Sequence, residues 1–199
     1  MLTLLQTSAS PFARKVRMVA IERGVPLALE EAKVDPADRN TALGAFNPLA
    51  KIPVLLTSTK AIYDSRVICR YIDAKGEGPG LYAGPDPWGI LRLEALADGI
   101  MDAAVIARYE LVIRPGDLVW QDWAAAQFAR IEAALDCLEA WTEDLQTLHM
   151  GTIGLAAALE YLDFRHPKLH WRKRRPVLAE WLEGEAATER MQCTRYSAF

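Results

Sequence analysis

Cysteine is scarce in this chain. Only three occur among 199 residues, Cys69, Cys137 and Cys193, and no two form a CxxC pair. That argues against a disulfide framework, a cysteine zinc site and a two-cysteine redox centre. Histidine is equally rare. Its one close pair, His166 and His170, is split by Pro167, which breaks any helix that would align the two rings, so no metal site is expected. A basic surplus is also missing: 23 Lys and Arg stand against 26 Asp and Glu, a net charge of -3 and a pI near 5.7. General nucleic-acid binders are normally basic, so that partner is disfavoured. No apolar stretch approaches the ~20 residues needed to span a bilayer. The opening "MLTLLQTSAS" has no basic leader and too short an apolar run for a signal peptide. The reading is a cytoplasmic protein without a membrane partner.

What is present divides into two regions. At 51% hydrophobic and 25% charged, the chain has the composition of a globular protein. Residues 1–78 mix short strands with helices. "LTLL" and "LALEEAKV" are strand candidates, and Phe12, Val16, Val19 and Ala20 share one helical face between them. Gly24 and Pro26 end that helix. Asp38 to Phe46 reads as a short or irregular helix stopped by Asn47-Pro48. "PVLL" and "AIYD" flank the polar turn "TSTK" as an antiparallel hairpin, and helical spacing returns from Ser65 through Ile68, Tyr71 and Ile72. This order predicts an α/β thioredoxin-like domain.

A Gly/Pro-rich stretch then supplies a linker at 79–88. Residues 89–199 carry only helical signals, which predicts an all-α domain. Leu93, Leu96, Ala97, Ile100, Met101 and Ala104 form one stripe, and Ala124, Phe128, Ile131, Leu135 and Leu138 another. "IGLAAALEYL" is apolar nearly all round and should be the central buried helix of this domain.

Three segments carry chemistry. In "SPFARKVR", Ser10 is a favoured N-cap and Pro11 a favoured first helical residue. A cap uses the hydroxyl oxygen as an acceptor, so the hydroxyl proton stays available to an anion at the helix N-terminus. In "NPLAKIPVL", a Pro opening a strand after a turn suggests a cis peptide at Ile52-Pro53. Such a bond would turn the Ile52 N–H and C=O outward, where an extended peptide can bind as an added strand. The plainer reading is an edge-strand Pro that blocks aggregation. In "YDSRVICRYI", Asp64 and Ser65 precede a helix. They serve as a cap, or as an acceptor beside donors for the ammonium and carboxylate of an α-amino acid group.

The order and content of these segments resemble the cytosolic glutathione transferase family. "RPVLAEW" is similar to the start of that family's last helix and "TERMQCT" to the stretch that closes many members. "EALADGIMDA" and "FARKVR" most resemble bacterial members of the YibF type. The resemblance covers nearly the whole chain. It implies the glutathione transferase fold, glutathione as co-substrate and a homodimer. Ser10 matches the catalytic Ser of serine-type members. Lys51, Ile52 and Pro53 match the segment that contacts glutathione, Lys51 at a position that often reaches the glycyl carboxylate. Asp64 and Ser65 match the pair that holds the γ-glutamyl end. No Cys precedes Cys69 and no Tyr precedes Tyr63, so the cysteine-type and tyrosine-type mechanisms lack their residue. The second substrate is expected on the long helix after the linker, with Phe12, Arg108 and Tyr109 as its pocket. One departure stands at "HMGT", His149 to Thr152, where the family often has a Ser/Thr-x-x-Asp capping box.

The energetics of this mechanism are reachable. A free cysteine thiol has a pKa of about 8.5. Lowering it by about 2 pH units requires roughly 2.7 kcal/mol of preference for the anion. A hydrogen bond to a charged group contributes roughly 1.5–3 kcal/mol and a helix N-terminus about 0.3–2. Ser10 and its helix therefore suffice without a metal. Arg14, one turn further on, is expected to be a solvated cation on an exposed face. Two alternatives use the same scaffold. One is glutathione-dependent peroxide reduction. The other is a non-catalytic protein that binds a macromolecular partner through the basic run "RHPKLHWRKRR". That run is expected to be a solvated connection between helices.

Overall fold

The structure, a computed structural model, describes residues 1–38, 41–141 and 145–196. Its contacts divide the chain into two compact units: Met1–Ala83 with the segment from Thr188 onward, and Gly84–Ala187.

The first unit is built on a four-stranded sheet in the order β2-β1-β3-β4. Strand β1 (Thr3–Gln6) runs parallel to β2 (Ala28–Glu31) and antiparallel to β3 (Val54–Leu56). The pair β3 and β4 (Ala61–Ile62) is the expected hairpin. Parallel strands need a crossover, and α1 (Pro11–Glu22) provides it. Gly24, at φ +63, lets the chain leave α1 in a left-handed conformation that a Cβ disfavours. Helix α2 (Ser65–Asp73) follows β4 and packs on α1. Alternation along the strands fills both sheet faces. Leu4 and Leu55 are fully buried, as are Val16, Val19, Ile68 and Ile72 of the two helices. Leu5 and Val54 form a second cluster with Leu43, bordered by Ile52 and Leu56.

The short or irregular helix expected between Asp38 and Phe46 is, among the described residues, one 3-10 turn, Ala42–Ala45. It covers the sheet with Leu43, while Phe46 at its end stays exposed. Arg14 is not solvated: it is fully buried. The cause is the end of the chain. Helix α8 (Glu189–Gln192) packs on α1, and the closing stretch lies with this unit rather than with the helical one. Arg14 Nε donates to Thr194 Oγ1 at 3.1 Å, and its guanidinium stands 4.6 Å from the centre of the Tyr196 ring. Arg190 pairs with Glu22 at 2.8 Å. The Gly/Pro-rich stretch is also tied down: Arg23 pairs with Asp73 at 3.0 Å, and Asp73 accepts from the Leu81 N–H at 2.8 Å.

The second unit is helical. Helix α3 (Pro87–Arg108) is capped by Asp86, whose carboxylate accepts from the Gly89 N–H at 2.9 Å. It continues into a π-helical turn, Tyr109–Ile113. Helices α4 (Gln121–Glu139) and α5 (Met150–Arg165) pack on it, and α6 (Trp171–Arg174) and α7 (Pro176–Glu185) close the unit. The segment from Met150 to Leu159 is wholly buried, as its composition predicts. The departure at "HMGT" is resolved by a substitute cap. His149 Nδ1 accepts from the Thr152 N–H at 3.3 Å, and Thr152 Oγ1 accepts from the His149 N–H at 3.0 Å. This is a reciprocal capping box with imidazole in place of a hydroxyl.

The basic run does connect two helices and is exposed over much of its length. Trp171 and Arg175 within it are buried, however, and three of its arginines are paired rather than simply solvated. Arg172 pairs with Asp163 at 2.7 Å, Arg174 with Glu132, and Arg175, 1% exposed, with Glu132 and Asp136. Carboxylates of α4 and α5 face the run and neutralise these arginines. Among the described residues, no group of His, Cys, Asp or Glu is placed to hold a metal ion, and no helix is long and apolar enough to cross a membrane.

Candidate functional site

Strand register gathers the predicted residues of the first unit. Leu5 pairs with Val54, and Leu55 with Ile62. Continuing the ladder by one step sets Pro53 beside the end of β1. The next step along β4 carries Tyr63 and Asp64 past the start of β3. Both helices start at this end of the sheet: α1 five residues beyond the end of β1, α2 three residues beyond the end of β4.

Ser10 is the N-cap of α1. Its Oγ accepts from the Ala13 N–H at 3.2 Å, and its own N–H donates to the Thr7 carbonyl at 3.0 Å. The helix dipole leaves partial positive charge at this point. Pro11 supplies no N–H, so the exposed donors of the first turn are the ones Ser10 does not satisfy. Ser10 is half-buried, hence fixed but reachable.

Lys51 is exposed, Ile52 half-buried and Pro53 buried, and the Ile52-Pro53 peptide is cis. This loop is held by a residue that motif reading treats only as a helix stop. Asn47 is 3% exposed; its Nδ2 donates to the Lys51 carbonyl at 2.8 Å, and its Oδ1 accepts from the Leu49 N–H at 3.0 Å. The signal was available, because Asn before Pro favours such side-chain turns. Within the loop, Ala50 takes φ 50, the left-handed region.

Asp64 is the N-cap of α2, exposed, with Oδ1 accepting from the Arg66 N–H at 3.1 Å. Ser65 beside it is buried. An acceptor and helix-end donors therefore adjoin, as the α-amino acid reading requires.

The three residues expected at the second-substrate pocket do not share one unit. Phe12, half-buried on α1, belongs to the first; Arg108 and Tyr109 belong to the second. Arg108 lines a cavity of about 540 Å³ within the helical unit, together with Phe128 of α4 and the end of α5. Tyr109 is 39% exposed on the π turn. Burial, partly offset by the Arg108 charge, raises its phenol above the usual range. Two groups around this end of the unit are held neutral. Burial pushes the Tyr161 phenol up to about 12. Burial also pulls the His166 imidazole down, against the opposing effect of its bond to Ala104. His166 Nε2 lies 2.9 Å from the Ala104 carbonyl, which can only accept, so this nitrogen carries the proton.

Comparison with known proteins follows the same division. The family model described as glutathione S-transferase, N-terminal domain, matches residues 9–75, and the corresponding C-terminal domain model matches residues 121–184. The uncharacterized GST-like protein YibF of Escherichia coli (strain K12) is 34% identical over 91% of this chain and 92% of its own length. A crystal structure of a glutathione transferase family member from Pseudomonas fluorescens Pf-5, with bound glutathione, is 40% identical over the whole of both chains, with a TM-score of 0.95. A glutathione S-transferase from Methylobacillus flagellatus KT, with GSH bound, is 31% identical over 99% of this chain and all of the other, with a TM-score of 0.88. Two domain matches in the expected order, and relatives aligned over almost the full length, lead to one conclusion: the chain belongs to the glutathione S-transferase family.

Proposed function

We propose that this protein is a glutathione transferase of the serine type. It binds glutathione across the sheet end described above, keeps the cysteinyl sulfur as a thiolate, and adds that sulfur to an electrophilic small molecule. The observation that carries this reading is the geometry of Ser10. Its oxygen is engaged by the Ala13 N–H, so the hydroxyl proton is free to donate to an anion at the head of α1. The γ-glutamyl ammonium pairs with Asp64, and its carboxylate with Ser65 and the first N–H groups of α2. The peptide groups of Ile52 bind the cysteinyl backbone as an added strand, and Lys51 neutralises the glycyl carboxylate. Glutathione in the Pseudomonas and Methylobacillus relatives supports the choice of ligand. Family membership adds the expectation of a homodimer.

In the reaction, the thiolate electron pair forms the new carbon–sulfur bond. The electrophile releases a leaving group or takes up the proton lost by the thiol. Ser10 donates throughout and is not consumed. Ser10→Ala should still bind glutathione but lose most of the thiolate ultraviolet absorbance at neutral pH, with roughly 1 kcal/mol of cap stability. Ser10→Asp separates the two roles. It keeps the cap, and so the stability, but sets a negative charge beside the sulfur and abolishes the thiolate signal. Unchanged absorbance in both variants removes Ser10 from the mechanism.

A further inference from the structure

We propose that Asn47 is a positioning residue for the thiol co-substrate: by holding the Lys51 carbonyl inward, it turns the Ile52 N–H out toward the cysteinyl carbonyl of glutathione. The inference rests on the glutathione reading and adds to it a buried side chain that acts through the Lys51–Ile52 peptide.

The Lys51 carbonyl and the Ile52 N–H are the two ends of one peptide group. That group is planar and trans, unlike the bond that follows it. Its carbonyl and its N–H therefore point in opposite directions, and whatever fixes one fixes the other. Asn47 Nδ2 donates to the Lys51 carbonyl at 2.8 Å, from a residue that is 3% exposed. The carbonyl is thus drawn to the buried side of the loop, and the Ile52 N–H faces the other way. Among the described residues, no hydrogen bond engages that N–H. A half-buried donor, set in direction and unused by the fold, fits an acceptor on an extended peptide.

Asn47 can hold the loop because it is itself held from the other side. Its N–H donates to the Leu43 carbonyl at 2.9 Å, and its carbonyl accepts from the Ala50 N–H at 2.8 Å. Leu43 packs with Leu5 and Val54 against the sheet. Asn47 Oδ1 accepts from the Leu49 N–H at 3.0 Å. A backbone N–H only donates and a carbonyl only accepts, so these two partners fix which way the amide faces. Asparagine is the short side chain with a donor and an acceptor on one planar group, whereas ionised aspartate only accepts. Ser10 stands on a different segment, so keeping the sulfur anionic is not the task of Asn47. Loss of the Nδ2 donor should weaken binding and leave the ionisation of the bound thiol as it was.

Calorimetric titration of the full chain with three thiols tests this. Glutathione is the first. The second, γ-glutamylcysteine amide, keeps the cysteinyl carbonyl but lacks the glycyl carboxylate. The third, γ-glutamylcysteamine, lacks both. Asn47→Ala and Asn47→Asp should each bind the first two about tenfold more weakly than the parent, the effect of about one hydrogen bond. Asn47→Asp keeps the acceptor for the Leu49 N–H and so isolates the donor. γ-Glutamylcysteamine should bind parent and variants alike. At saturating glutathione, thiolate absorbance followed against pH should keep the parent's midpoint in both variants, with the circular dichroism unchanged. A merely structural role would weaken all three thiols together. Four results overturn the proposal: unaltered affinity for glutathione, an equal loss for all three thiols, a shifted thiolate midpoint, or failure of both variants to fold. A parent that binds no glutathione ends the glutathione reading and this inference together, whereas variants that match a binding parent end this inference alone.

Discussion

Arg14 and Thr194 meet across 180 residues of sequence: Arg14 Nε donates to Thr194 Oγ1 at 3.1 Å, with both side chains buried. Through this bond the end of the chain holds the helix that presents Ser10. Thr194 is held in turn, its hydroxyl donating to the Arg190 carbonyl at 2.6 Å.

Arg14→Met should therefore destabilise the first unit. The apolar replacement fills the volume but leaves the Met191 carbonyl and Thr194 without their donor, at a cost of about 1.5–3 kcal/mol. Urea denaturation followed by circular dichroism should show a lower midpoint with an unchanged slope. An unshifted midpoint would mean that the tail merely rests on α1.

The basic run offers a contrast between neighbours. The Arg175 side chain is 1% exposed and shared between Glu132 and Asp136, whereas that of Arg174 is 62% exposed. Arg175→Met should cost about 2–3 kcal/mol, while Arg174→Ala should cost less than about 1 kcal/mol. All six tryptophans lie at or beyond residue 88, so tryptophan fluorescence reads this unit directly. Similar losses in the two variants would contradict the pairing described.

Helices α3 and α5 approach closely at Gly151. A Cβ there would lie 2.8 Å from Leu93 Cβ and 3.0 Å from the Ile90 carbonyl oxygen. Alanine gains up to about 1 kcal/mol of helix propensity, but overpacking costs about 1–3, so Gly151→Ala should lower the melting temperature. Gly184 on α7 has nothing within 4 Å of the same atom, so Gly184→Ala should raise it. Scanning calorimetry of the pair checks both signs.

His166 makes stability depend on pH. Burial lowers its folded pKa below the ordinary value of about 6.5. Between the two values the unfolded chain binds more protons, so stability falls as pH drops below that ordinary value. His166→Gln keeps a donor for Ala104 and loses this proton uptake. Urea midpoints at mildly acidic and neutral pH should differ less in the variant than in the parent. An equal pH dependence would show that His166 takes up no proton in this range.

The candidate site was legible because its parts are local. Ser10 before Pro11, and Asp64 before Ser65, are signalled by side chains that reach backbone N–H groups two or three residues on. Such bonds depend only on neighbours in the chain, so composition and spacing report them. The same locality made the strands, the hairpin and the buried Met150–Leu159 stretch of α5 readable. His149 escaped notice because imidazole is an uncommon N-cap, although the bonds it makes to Thr152 are also local.

Tertiary structure decided what lies across the fold. An arginine in a helix pattern looks solvated until its partner is known. The partners of Arg14 and Arg175 stand about 40 to 180 residues away, on elements whose packing no local pattern states. Register did the same for the site, because only the pairing of Leu5 with Val54 and of Leu55 with Ile62 sets three separate segments at one sheet end. The amino-acid sequence by itself determined which residues cap, bury or turn, since those preferences act over one helical turn. Which charges are neutralised, and which residues converge, came from long-range packing.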